Sequence, residues 1–267
     1  MWYWLFKFVF MGPLLSLLGR PKVEGLEYVP DSGPVILASN HLAVADSFFL
    51  PLVVRRRITF LAKAEYFTGK GIKGWFTRWF YTAAGQVPID RADADAAQAA
   101  LNTAERLLND GKLLGMYPEG TRSPDGRLYK GKTGLARLAL QTGVPVIPVA
   151  MIGTDTVNPP GSKMWRFGRV GVRFGKPMDF SRFEGMGGNR FIERAIIDEV
   201  IYELMQLSGQ EYVDIYAATL KNNPDKKPEA GSETSGSDTS GQDALGKAVK
   251  PGGAGQPPAR IPETAAG

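Results

Sequence analysis

The chain has 267 residues, 43% of them hydrophobic, with 32 Lys and Arg against 27 Asp and Glu, a net charge of +5 and a single histidine. It has no cysteine, which excludes disulfides, thiolate metal ligands and a cysteine nucleophile; with one histidine, a zinc site of the usual composition is not expected either. The length and a mean hydropathy of −0.15 fit one sizeable α/β domain plus extra segments. The basic balance suits nucleic acid, an anionic membrane or an anionic substrate without choosing among them.

Residues 1–19 are densely apolar and aromatic, from Met1-Trp2-Tyr3-Trp4 to Leu17-Leu18-Gly19. A secretory signal wants a basic start and a small-residue cleavage site, and this run has neither. It is marginal in length for a span, contains Lys7 and is broken by Gly12-Pro13, whereas a span needs about 20 apolar residues. The composition therefore favours, over 1–22, a kinked hydrophobic hairpin or helical segment lying in the membrane interface, with a buried core helix as the alternative. Trp2, Tyr3 and Trp4 would sit at headgroup level, with Arg20 and Lys22 placed for anionic lipid.

Residues 23–33 predict a short strand and a turn. Val35-Ile36-Leu37-Ala38, short, partly β-branched and preceded by Gly33-Pro34, predicts a buried strand. It ends in Ser39-Asn40-His41, with Asp46 five positions beyond the histidine. On one helix that spacing separates two side chains by about 140°, so they meet only if the chain turns between them. A strand end at His41 and a helix start near Asp46 supply that turn. Asp46 is then either a helix N-cap or the carboxylate that orients the imidazole and leaves its other nitrogen as a general base. No serine or cysteine nucleophile motif accompanies the pair, which suits a reaction in which a substrate hydroxyl, or water, attacks.

Ser47–Leu50 begins a short apolar helix, and Pro51 leaves its end open. Ile58–Ala62 predicts a second strand. Residues 63–82 mix Lys63, Lys70, Lys73 and Arg78 with seven aromatics, a pattern for stacked bases or a membrane surface; the apolar N-terminus favours the membrane, and no nucleic-acid partner is expected. Gly85–Arg91 predicts a short strand ending in a charged pair, 93–109 an Ala-rich helix, and Lys112–Tyr117 a third core strand. That strand runs into the loop Pro118-Glu119-Gly120-Thr121-Arg122-Ser123. Arg122 offers a planar fork for phosphate or carboxylate, Thr121 and the amides around Gly120 could add donors, and the alternative is a simple Glu119–Arg122 pair. Lys130-Gly131-Lys132-Thr133-Gly134 lacks the full phosphate-loop pattern. A helix at 134–141, a strand at 144–150 whose prolines suggest an edge or bulge, an alternating strand at 169–175 and an amphipathic helix at 190–208 follow. From 221 to 267 few large apolar residues remain and six basic residues balance six acidic ones, so disorder is expected there and the +5 belongs to 1–220.

Four of these stretches resemble, in order, the motifs of the glycerolipid acyltransferases. Asn40–Asp46 is similar to their His-x4-Asp motif, Gly85–Arg91 to the second, Tyr117–Ser123 to a Phe-Pro-Glu-Gly-Thr-Arg-Ser motif with Tyr for Phe, and Val144–Ala150 to the fourth. The resemblance covers residues 23–180. It implies a mostly parallel sheet flanked by helices, an acyltransferase domain over 23–220, and peripheral or monotopic attachment to the cytoplasmic face of the cell membrane. It also implies His41 as base, Asp46 as its partner, and Arg91, Glu119, Gly120, Thr121 and Arg122 at the acyl acceptor, with the arginines on its phosphate. Lys63 sits where some members carry a basic residue. The implied reaction moves an acyl chain from acyl-CoA or acyl carrier protein to the sn-2 hydroxyl of lysophosphatidate, without a cofactor or metal. Another lysophospholipid, glycerol 3-phosphate or a glycolipid are the alternative acceptors.

Overall fold

The computed structural model describes residues 4, 6–63, 68–69, 71–72, 74–75, 78, 82, 85–89, 94–162 and 164–222. Its centre is a seven-stranded sheet: β1 (Lys22–Glu24), β2 (Val35–Ser39), β3 (Ile58–Lys63), β4 (Gln86–Ile89), β5 (Leu113–Met116), β7 (Val146–Ile152) and β8 (Gly171–Phe174), in the order β1-β8-β7-β2-β5-β3-β4. Every pairing is parallel except β7 with β8. A separate parallel pair joins β6 (Leu128–Tyr129) to β9 (Tyr212–Val213). The helices are α1 (Gly12–Gly19), α2 (Asp46–Val53), α3 (Ala94–Asn109), α4 (Gly134–Thr142), α5 (Thr154–Val157), α6 (Arg190–Ser208) and α7 (Ala217–Asn222).

All five residues of β2 are buried, as a strand covered on both faces requires. Val35 and Leu37 pack with Leu15 of α1 and Phe49 and Leu50 of α2. Ile36 and Ala38 face the other way, to Leu108 of α3, Leu135 of α4 and Ile197 of α6. The alternation is the period-two pleat of a strand, and it makes the fold an α/β/α layering. From β2 the chain moves to β3 and β4 on one side; after β5 it crosses to β7 and β8 on the other. The site lies at the C-terminal edge of β2 and β5, where this reversal leaves a crevice in open sheets.

Two sequence expectations are corrected. Gly12-Pro13 marks a change of helix type, not an end of the helix: a π-helical stretch, Phe6–Met11, gives way at Gly12 to α1, which carries Pro13 in its first turn. Gly12 is required there, because a Cβ would lie 2.4 Å from Lys7 O. No helix among the described residues is long and apolar enough to cross a membrane. The prolines of Val144–Ala150 do not mark an edge. β7 lies between β8 and β2, and Pro148 is tolerated because its peptide faces Gly175, just past the end of β8, whose N–H still reaches Pro148 O at 2.8 Å. The end of α2, left open at Pro51, falls at Val53. The tail expected to be disordered lies, from residue 223, outside the described residues.

Candidate active site

β2 and β5 are paired in parallel with Ala38 opposite Met116, so the segments leaving them, Asn40–Asp46 and Tyr117–Ser123, emerge side by side. Two contacts fasten them together, and two more tie the second loop to the stretch that follows it. The His41 N–H donates to Glu119 Oε1 at 3.1 Å, and His41 O accepts from the Ser123 N–H at 2.7 Å. Glu119 Oε2 accepts from the Tyr129 N–H at 3.0 Å, and the Pro118 carbonyl accepts from the Lys132 N–H at 2.8 Å. The backbone of the histidine is thus held on both sides by the second loop.

Asp46 is the first residue of α2, but it does not cap that helix. Its carboxylate turns back: Oδ2 accepts from His41 Nδ1 at 2.8 Å and from the Leu42 and Ala43 N–H groups at 2.7 and 2.9 Å. Asp46 is fully buried, and its other oxygen, Oδ1, has no partner among the described residues. Because Nδ1 carries the proton it gives to Asp46, the lone pair of the neutral imidazole lies on Nε2. The two amides fix the carboxylate, and the carboxylate fixes the ring. The side chain of His41 keeps 15% of its accessible surface.

Tyr117 forms a wall for this ring. Its aromatic face stacks on the imidazole, with centroids 3.8 Å apart and planes 10° apart, and Phe60 stacks behind it at 5.6 Å. The extra hydroxyl, relative to the phenylalanine of the resembling motif, lies 2.8 Å from Ser47 Oγ in the first turn of α2. Burial, helped by the nearby Asp46 charge, pushes this phenol far above its ordinary range, so it stays neutral.

The remaining expected residues divide. Glu119 is 1% exposed and holds two backbone amides, so it braces the loop instead of presenting a carboxylate at the surface. The Gly120 N–H is used in the turn, donating to Tyr117 O at 2.9 Å, and so is not a spare donor. Gly120 has φ +73°, and a Cβ there would meet the Cδ, Cε and Nζ of Lys132 at 2.9–3.1 Å. Thr121 is half-buried and the Arg122 side chain is exposed. Arg91 lies outside the described residues, two positions past the end of β4.

Sequence reading missed three participants. Lys132, dismissed with its phosphate-loop lookalike, lays its side chain along Gly120. Asn40 accepts the Met151 N–H at 2.7 Å, returns a bond to Met151 O at 3.0 Å, and donates to Gln210 Oε1 at 2.6 Å. Gln210 in turn donates to Gly126 O at 2.6 Å. Position 210 follows α6 and has no local signal; only the fold brings it to Asn40.

An imidazole is thus held by a buried carboxylate at the C-terminal edge of a mostly parallel sheet. The chain belongs to the acyltransferase family, whose model matches residues 20–152. It is 35% identical over 163 residues to the 1-acyl-sn-glycerol-3-phosphate acyltransferase LPAT1, chloroplastic, of Arabidopsis thaliana, covering 60% of this chain and 44% of that protein. It is 29% identical over 162 residues to the alpha 1-acyl-sn-glycerol-3-phosphate acyltransferase of Bos taurus, covering 60% and 54%. The chain thus spans about half the length of these curated relatives. Its fold is similar to the crystal structure of the 1-acyl-sn-glycerophosphate acyltransferase PlsC of Thermotoga maritima, with a TM-score of 0.56, 26% identity, and 75% of this chain and 78% of that one covered.

Proposed function

We propose that this protein transfers an acyl chain from an acyl thioester to the sn-2 hydroxyl of lysophosphatidate, giving phosphatidate for phospholipid synthesis. One observation carries the proposal: His41 Nδ1 is tied to a buried Asp46 at 2.8 Å, leaving Nε2 to act on a hydroxyl, while the side chain of Arg122, in the adjoining loop, is exposed to meet a phosphate. The names of the relatives support the choice of acceptor.

In the proposed step, Nε2 takes the proton from the sn-2 hydroxyl as that oxygen attacks the thioester carbonyl. The new C–O bond forms and the carbonyl pair moves onto oxygen. Collapse of the tetrahedral intermediate breaks the C–S bond, and the imidazolium returns its proton to the leaving thiolate of coenzyme A or of an acyl carrier protein. Asp46 stabilises the imidazolium while it exists. Arg122, with Lys132 beside Gly120, holds the phosphate monoester so that the hydroxyl is presented to the base, a positioning effect; Arg91 is assigned to the same phosphate. No cofactor enters this scheme. The N-terminal segment, with Leu14 and Leu17 exposed on α1, is assigned to the membrane interface, in keeping with a lipid acceptor.

The test is an acceptor screen with a labelled acyl thioester and products identified by mass. Phosphatidate formed from lysophosphatidate, and lost in His41→Ala while the variant folds normally, is the expected result. Thiol release at the same rate with and without acceptor would instead show hydrolysis, and transfer by His41→Ala at near the unsubstituted rate would remove the base.

A further inference from the structure

Trp165 is the fixed point of the loop between α5 and β8. Its indole meets Phe48 edge-on at 5.8 Å and stacks on Phe49 at 6.4 Å, both on α2, and the Arg166 N–H donates to Val157 O at 2.7 Å. On either side of this anchor the chain points outward. Met164 is 77% and Phe167 74% exposed, and the side chains of Arg166 and Arg169 are exposed as well.

The loop also lies along α1. The Gly168 N–H donates to Leu18 O at 2.9 Å, and the Val170 N–H to Gly19 O at 2.8 Å. Phe167 is therefore next to the helix that exposes Leu14 and Leu17. Arg20, exposed at the end of that helix, completes the cationic rim. Among the described residues, no ion pair engages Arg20, Arg166 or Arg169. Large apolar side chains grouped on a surface mark an interaction site. A rim of arginines and no acid in the Met164–Arg169 stretch selects an anionic surface, and apolar tips among cations are the chemistry of an interfacial lipid contact.

We propose that the segment Met164–Arg169 is a second membrane-contacting element, separate from the N-terminal segment. Met164 and Phe167 enter the headgroup layer of an anionic bilayer, and Arg20, Arg166 and Arg169 lie on the lipid phosphates. The inference deepens the acyltransfer reading and rests on it in one respect: it names the surface across which a lipid acceptor would arrive. Trp165 carries that surface to α2, whose first residue is Asp46.

The absence of cysteine makes the test clean. Single Phe167→Cys and Tyr202→Cys variants of the full chain are labelled with an environment-sensitive fluorophore; Tyr202 is exposed on α6, which packs on the opposite face of the sheet. On phosphatidylcholine–phosphatidylglycerol vesicles carrying nitroxide lipid, the label at 167 should shift to the blue and be quenched, and the label at 202 should not. Arg166→Gln/Arg169→Gln should lower partition onto these vesicles by about 25-fold, at roughly fivefold per arginine, with little change on pure phosphatidylcholine. A label at 167 that stays as solvent-exposed as the one at 202 overturns the proposal. Acyl transfer to detergent-dispersed lysophosphatidate is read separately: if it is absent while the label at 167 inserts, the reading of the site fails and the membrane surface stands.

Discussion

The Tyr117 ring lies 3.8 Å from the His41 imidazole and nearly parallel to it, while its hydroxyl is 2.8 Å from Ser47 Oγ. The tyrosine thereby links the base to the helix that begins with the base's carboxylate partner. Tyr117→Phe keeps the stack and removes one bond, so kcat should fall only a few-fold. Tyr117→Ala removes the wall, and kcat should fall about 10- to 100-fold with KM little changed, as expected when a catalytic group loses its orientation. A double-mutant cycle of Tyr117→Phe with Ser47→Ala should return a coupling of about 1 kcal/mol in thermal or denaturant unfolding. Additive single effects would remove the link.

Asp46 supports the base in two separable ways. Asp46→Asn keeps an acceptor where Oδ2 now sits and places its amide at the unpartnered Oδ1 position, so folding should survive while the charge facing the imidazolium is lost. A fall in kcat of about ten-thousandfold is expected, on the scale of the same change in other carboxylate–histidine pairs. Asp46→Ala should also strip the Leu42 and Ala43 N–H groups of their acceptor, at about 1–3 kcal/mol each. Steady-state kinetics beside a melting curve separates the two; equal loss of Tm in both variants would contradict the geometry.

Acceptor charge should be read by Arg122 and Lys132. Arg122→Ala and Lys132→Ala should each raise KM for lysophosphatidate about tenfold, the order of one charge-assisted hydrogen bond of roughly 1.5–3 kcal/mol. KM for a neutral lysolipid acceptor should change much less. Equal effects on both acceptors would move the phosphate elsewhere.

Lys7 is 6% exposed, donates to Val54 O and lies 5.3 Å from the Trp4 ring. Burial pulls its pKa down from 10.5 to about 8. Between those values the unfolded chain binds the proton and the folded protein does not, so stability rises with pH across that window, by about 3 kcal/mol at most. The gain meets a ceiling near pH 10. There the unfolded tyrosines begin to ionise, while Tyr129, pushed up to about 12 by burial and by its bond to Asp125, resists, and its contribution is lost as pH rises further. Unfolding midpoints should therefore climb from pH 7.5 to 9.5 in the unsubstituted protein and stay flat in Lys7→Met.

The core of the site was legible because its signals are local. Val35–Ala38 announces a buried strand by apolar density, and the five-residue step from His41 to Asp46 requires a turn, which the strand end and helix start provide. The choice between cap and partner for Asp46 needed coordinates, since both uses place an aspartate at a helix start. Glu119 shows the limit of motif reasoning: the sequence marks a carboxylate near the acceptor, and only burial reveals that it holds the amides of His41 and Tyr129. The prolines of β7 misled because strand position depends on pairing partners far along the chain, and β8 happens to end where Pro148 lacks its donor.

Gln210 bonds both to Asn40 and to the Gly126 carbonyl, although the family match stops at residue 152. The histidine's neighbour is therefore buckled to the far end of the folded chain. A protein trimmed to the matched span would keep every recognised motif yet leave Asn40 with an open seat where Gln210 now sits.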